Sequence, residues 1–178
     1  MIEIGFHTDA FNSSYWSFEQ CLQWAEKNNV KYIECGTIEG TSWLEGLGYQ
    51  PHVSLTKDPL VLRKKMDEYG VKFSQLDAAF PVSLPAGSSY GVIYILNTLR
   101  WAKLAGCKHI DTTDHMFKPE GLSDEQALDM MKRIYEEVVE VAELYEIYIN
   151  IEPHGYYTTK PEFMEKMLAF VDSPYLGM

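Results

Sequence analysis

Short apolar runs alternate along the chain with stretches in which apolar residues recur every three or four positions. Glu3 to Thr8, Lys31 to Cys35, Val71 to Ala78, Lys108 to Thr112 and Ile147 to Glu152 are too short for helices and read as strands. Ser17 to Asn29, Asp58 to Tyr69, Tyr90 to Ala105, Asp124 to Tyr145 and Pro161 to Val171 carry the helical period between and after them. Tyr175 to Met178 opens a sixth strand. The longest helix places Ala127, Met130, Met131, Ile134, Val138, Val141, Ala142 and Tyr145 on one face, so its methionines read as core filler.

The helix ends have their own signals. Ser17 with Gln20, and Ser123 with Gln126, form capping boxes, each side chain satisfying an amide that the first turn leaves without a partner. Asp58 caps a helix that begins with Pro59, and Gly70 and Gly106 close two others.

A β-then-α alternation implies parallel strands joined through helices. An open dinucleotide-binding sheet would need G-x-G-x-x-G after the first strand, where this chain reads His7-Thr8-Asp9-Ala10-Phe11. The expectation is therefore an α/β fold of the (β/α) TIM-barrel type. A full barrel takes about 250 residues. The 178 residues from Met1 to Met178 read as a single, partial barrel domain holding the N-terminal five to six βα units. Such an arc exposes two strand edges, which a partner subunit, a second copy or further strands would cover.

Composition narrows the class. No apolar stretch approaches the roughly 20 residues that span a bilayer, and the N-terminus lacks the basic region and cleavage site of a secretory signal. Cys21, Cys35 and Cys107 are scattered, with no CxxC pair, and read as reduced thiols of a cytoplasmic protein. A formal charge of −11 argues against duplex nucleic acid as a partner.

Chemistry concentrates where the strands end. His7 and Asp9, Glu34, Asp77, Asp111 with Asp114 and His115, and Glu152 with His154 would all face one rim if the strands are parallel. Barrel interiors reject unpaired charge, so successive polar strand ends point to a functional rim. Glu152 closes the run Ile147-Tyr148-Ile149-Asn150-Ile151 and is expected to be partly desolvated unless a cation meets it. Mg²⁺ or Mn²⁺ suits such a carboxylate. His154 reads as a proton shuttle or as a hydrogen-bonded loop residue, and Asp114 as a rim ligand or as a turn residue. The long connection from Thr37 to Thr56 carries Trp43, Tyr49 and His52, suited to a sugar or a flat aromatic group.

At these strand ends the sequence resembles a known group. Ile4-Gly5-Phe6-His7-Thr8, Tyr32-Ile33-Glu34, Asp111-Thr112-Thr113-Asp114 and Asn150-Ile151-Glu152-Pro153-His154-Gly155 look like the sugar phosphate isomerase/epimerase superfamily, which has the xylose isomerase-like barrel. Phe6-His7-Thr8-Asp9-Ala10-Phe11-Asn12, Gly48-Tyr49-Gln50-Pro51-His52 and Ile151-Glu152-Pro153-His154-Gly155-Tyr156 are most similar to the larger subunit of bacterial C-glycoside deglycosylases. The likeness runs from Met1 to Met178.

The resemblance implies a divalent metal, Mn²⁺ or Mg²⁺, held by two glutamates, an aspartate and a histidine. Only Glu152 has a counterpart among these, and the other three ligands are expected beyond Met178. For a deglycosylase it implies loss of a proton beside the keto group of a 3-keto C-glycoside, followed by elimination of the aglycone. Glu152 would be metal ligand and catalytic residue, His154 a proton shuttle and Asp111 a hydrogen-bonding group at the rim. His7, Trp43, Tyr49, His52, Asp77 and Asp114 would bind substrate. Two other readings stay open: an isomerase or epimerase acting on keto sugars or their phosphates, and a non-catalytic half-barrel that serves as an interaction subunit.

Overall fold

A computed structural model describes residues 3–14, 16–38 and 52–178. Strands β1 (Gly5–His7), β2 (Tyr32–Ile38), β4 (Lys72–Pro81), β5 (His109–Thr113), β6 (Tyr148–Ile151) and β7 (Leu176–Gly177) lie side by side in that order, and the short β3 (Val53–Ser54) pairs with β2. Every pairing is parallel. Helices α1 (Phe18–Lys27), α2 (Pro59–Glu68), α3 (Tyr90–Ala105), α4 (Asp124–Tyr145) and α5 (Pro161–Val171) return the chain between strands. Among the described residues β1 and β7 each pair on one side only, which leaves the arc of strands open.

Alternation along the strands sorts the side chains onto two faces. Ile33, Leu76, Ile110, Ile149 and Ile151 turn outward and are fully buried with Leu22, Ile95, Leu99, Met131, Ile134 and Val138 of the helices. Each such side chain contributes about 1.5–3 kcal/mol. The other face carries His7, Glu34, Gln75, Asp77, Asp111 and Asn150.

Helices α3, α4 and α5 span the expected residues, and both capping boxes are formed. Gly70 and Gly106 have the positive φ expected of helix stops. Four strands and two turns depart from the sequence reading, the short β3 lying within the connection from Thr37 to Thr56. β1 ends at His7 because Thr8–Ser14 coils into a 3-10 turn, and a second such turn covers Pro85–Ser88. β2 continues past Cys35 to Ile38, where Thr37 and Ile38 pair with β3. β4 continues past Ala78 to Pro81, because a register shift after Asp77 lets Pro81 lie opposite Thr113. No helix among the described residues is long and apolar enough to cross a membrane.

Candidate functional site

Strand register assembles the polar row. His7 lies opposite Glu34, and Glu34 opposite Gln75. Gly36 lies opposite Asp77, Asp77 opposite Asp111, and Asp111 opposite Asn150. Glu152 stands two residues beyond Asn150, and its N–H donates to the Thr112 carbonyl at 2.9 Å, so the extended backbone carries both to one side. A cavity of about 600 Å³ lies at the opposite, N-terminal ends of the strands, against Gly5, Tyr32, Ser74, Lys108 and His109, away from Asp77, Asp111 and Glu152.

The carboxyls of β4 and β5 sit in a hostile environment. Asp111 is 4% exposed. One oxygen of Asp77 and one of Asp111 are buried without a hydrogen-bond partner among the described residues. Burial, then the negative charges of Glu152, Asp9 and Glu34, push the Asp77 carboxyl up to about 8, against a hydrogen bond from Asp111 that pulls it down. Burial, followed by Asp77, Glu34 and Glu152, holds Asp111 well above the usual carboxylate range. Two carboxyls this close cannot both ionise cheaply, so the pair retains a proton at neutral pH and can donate a hydrogen bond.

At the other end of the row the His7 ring accepts the Asp9 N–H at its Nδ1, at 3.0 Å. The Asp9 carboxylate lies 3.6 Å from that nitrogen and 4.0 Å from Nε2 of His52. The His52 ring is 1% exposed. It is buried within 4.0 Å of the Asp9 carboxylate and lines a cavity with Phe18, Val53 and Lys57.

Glu152 and His154 come together at the rim, with Glu152 Oε1 3.9 Å from His154 Nδ1. The glutamate side chain is 54% exposed, so the expected desolvation is absent: Glu152 lies one residue past β6, where the barrel mouth is open. Asp114 is committed elsewhere. Its buried carboxylate accepts the Tyr157 N–H at 2.7 Å, the Thr158 N–H at 3.3 Å and the Thr158 hydroxyl at 2.6 Å. Gly155 packs so closely on it that a Cβ there would overlap the carboxylate. Asp114 therefore fastens the loop after β6 to the loop after β5, which favours the turn-residue reading over the substrate one. The His115 carbonyl accepts the Tyr156 N–H at 2.9 Å in the same fastening. Trp43 and Tyr49 lie outside the described residues.

Two members of the row, Gln75 and Asn150, are not among the site residues the sequence singles out. Gln75 donates from Nε2 to Glu34 Oε1 at 3.0 Å, and Asn150 donates from Nδ2 to Gln75 Oε1 at 2.6 Å. Their signal in the sequence is a polar amide in an otherwise apolar strand.

Neither a family model nor a curated protein matches the chain. Solved structures do. A D-tagatose 3-epimerase-like protein superposes with a TM-score of 0.73 at 22% identity, over 99% of this chain and 64% of its own. The IolI protein with a bound zinc atom gives 0.73 at 16% identity, over 99% and 62%. The probable 3-DHS dehydratase AsbF of petrobactin synthesis, from Bacillus anthracis, gives 0.71 at 16% identity, over 98% and 61%. The fold is that of the xylose isomerase-like barrels. The chain spans about three fifths of the length of these proteins.

One of these barrels holds zinc, which raises the question of a metal here. Among the described residues no three His, Cys, Asp or Glu side chains are placed to hold a metal ion. Glu152 is a single candidate ligand, and the described residues do not complete a site around it.

Proposed function

We propose that this chain forms part of a sugar-converting barrel that moves a proton on the carbon beside the carbonyl of a keto sugar, in the manner of an isomerase or epimerase. One observation carries the reading: the solvent-open Glu152 stands near the facing carboxyls of Asp77 and Asp111, each with a buried oxygen left without a partner among the described residues, whose burial favours the protonated form. Deprotonation beside a carbonyl needs a base at carbon and a donor at oxygen. Glu152 is the base in this proposal, reachable from solvent and backed by His154, which carries the proton on. Asp77 and Asp111 supply the hydrogen bond that stabilises the enolate oxygen. Return of the proton to the opposite face gives an epimer. Its return to the neighbouring carbon, with the oxygen-bound hydrogen moved across, gives an isomer. The D-tagatose 3-epimerase-like neighbour supports the sugar class.

The lyase form of this chemistry is the second reading, in which the carbanion expels a group from the next carbon instead of recovering its proton. The likeness of Phe6 to Asn12 and of Ile151 to Tyr156 to the C-glycoside deglycosylase subunit favours it, with Trp43 and Tyr49 against the aglycone. In either form the open edges at β1 and β7 are covered by further strands or a partner chain, which would also bring the remaining ligands of a divalent metal.

The test is deuterium uptake from D₂O. The chain, isolated natively from its host with whatever accompanies it, is incubated with D-tagatose, D-fructose or a 3-keto C-glycoside and followed by proton NMR. Deuterium at the carbon beside the carbonyl of a free ketose supports the main reading. Release of aglycone alone selects the lyase, and no exchange with any of them overturns both.

A further inference from the structure

Glu34, Gln75 and Asn150 sit on β2, β4 and β6, with β5 between the last two. Their two hydrogen bonds run in one direction across the sheet. A carboxylate accepts and cannot donate, so Gln75 must present its NH₂ to Glu34. A planar amide then has its carbonyl on the other side, and that oxygen must be met by a donor. Asn150 meets it with its own NH₂, which leaves Asn150 Oδ1 as the chain's outgoing acceptor. Gln75 and Asn150 are symmetric enough to flip by themselves, and the charge on Glu34 removes that freedom for both.

Asn150 leans to the same side as Glu152, two residues on. Its Oδ1 accepts no hydrogen bond among the described residues and therefore seeks a donor in the space below the rim. A water molecule can supply one, and so can the hydroxyl of a bound sugar. We propose that Glu34 is a positioning residue: acting through Gln75, it fixes Asn150 so that its carbonyl oxygen receives a substrate hydroxyl beside Glu152. The relay itself stands on geometry, whereas the choice of a sugar hydroxyl rests on the function proposed above.

The experiment uses ¹⁵N-labelled chain and D-tagatose as the probe. The Asn150 side-chain amide signals are identified by their loss in Asn150→Asp. In the unaltered chain the proton facing Gln75 is expected to exchange slowly and to resonate apart from its geminal partner. Glu34→Gln keeps the size and removes the directionality, because a glutamine at 34 can either donate or accept. The two Asn150 signals should then converge, and D-tagatose should bind roughly tenfold more weakly, as loss of one oriented hydrogen bond predicts. Unchanged Asn150 signals and unchanged affinity in Glu34→Gln would overturn the proposal. Binding by neither form, with the Asn150 signals still converging, would uphold the relay and reject the sugar as its ligand. Should the variant fail to fold, scalar coupling across the Asn150–Gln75 hydrogen bond in the unaltered chain decides the relay, and its absence rejects it.

Discussion

Asp114→Ala should be among the most damaging single substitutions in this chain. The carboxylate is 2% exposed and accepts three hydrogen bonds from Tyr157 and Thr158, themselves buried. Alanine leaves two main-chain N–H groups without an acceptor, and each unmet buried donor costs about 1–3 kcal/mol. The Thr158 hydroxyl can turn to another acceptor, and the loop can relax, so the total should come to about 3–5 kcal/mol. A domain's whole stability is about 5–15 kcal/mol. With a urea m-value of about 2 kcal/mol/M, the midpoint should fall by about 1.5–2.5 M. Gly155→Ala supplies the cross-check, since its Cβ would overlap the same carboxylate. Alone it should destabilise by about 2 kcal/mol or more through overpacking. On the Asp114→Ala background it should cost less, with a coupling of about 1–3 kcal/mol. A midpoint shift under about 0.3 M for Asp114→Ala, or strict additivity of the two substitutions, would refute the fastening role.

Three further outcomes are expected. Asp77 is held near 8, so the folded chain keeps a proton there that the unfolded chain releases above about pH 4; the associated stability is complete below that and is lost as pH rises through about 8. Asp77→Asn should therefore flatten the fall of the urea midpoint between pH 5 and 8, and an unaltered slope would count against the buried proton. The Asp9 N–H donates to Nδ1 of His7, so the neutral ring must carry its proton on Nε2; long-range ¹H–¹⁵N spectra at pH 8 should show that tautomer, and the reverse would contradict the geometry. Glu146 ends α4 at a φ of 55°, where a side chain is strained and its contact with Lys103 at 3.9 Å is exposed, so Glu146→Gly should raise stability by about 0.5–1 kcal/mol in thermal unfolding; a lower melting temperature would refute this.

What could be read in advance follows the range of the forces involved. Helices α4 and α5 begin on local signals and α3 ends on one: Ser123 and Gln126 bond each other's backbones three residues apart, Pro161 starts a turn that needs no N–H from it, and Gly106 closes α3 at a positive φ. β4 was harder, because Phe80-Pro81 resembles a loop and the pairing of Pro81 with Thr113 is made by a neighbouring strand. The acidic strand ends at Asp77, Asp111 and Glu152 were visible because a charge stands out against apolar neighbours. Their states were not. The proton shared by Asp77 and Asp111 depends on register that only folding brings about, and the exposure of Glu152 depends on where β6 stops. Asp114 stays open between rim ligand and turn residue in the sequence for the same reason: its partners lie more than forty residues away, and nothing near it announces them.

The distribution of satisfied and unsatisfied groups on the polar face separates scaffold from site. Barrel interiors are ordinarily filled by branched apolar residues, and here that layer holds Glu34, Gln75, Asp111 and Asn150 instead. Toward the middle of the strands the mismatch is resolved internally, since Glu34, Gln75 and Asn150 bond one another in sequence. Beside this relay it is not, and Asp77 and Asp111 each retain one buried oxygen without a partner among the described residues. Buried polar atoms left unmatched cost about 1–3 kcal/mol apiece and persist where something other than stability selects them. A purely structural polar layer would be expected to spread such defects or remove them. Asp9 and Tyr157 also carry such an atom, but Asp77 and Asp111 lie opposite each other on adjacent strands of the polar face, an arrangement that suits a partner molecule with its own donors.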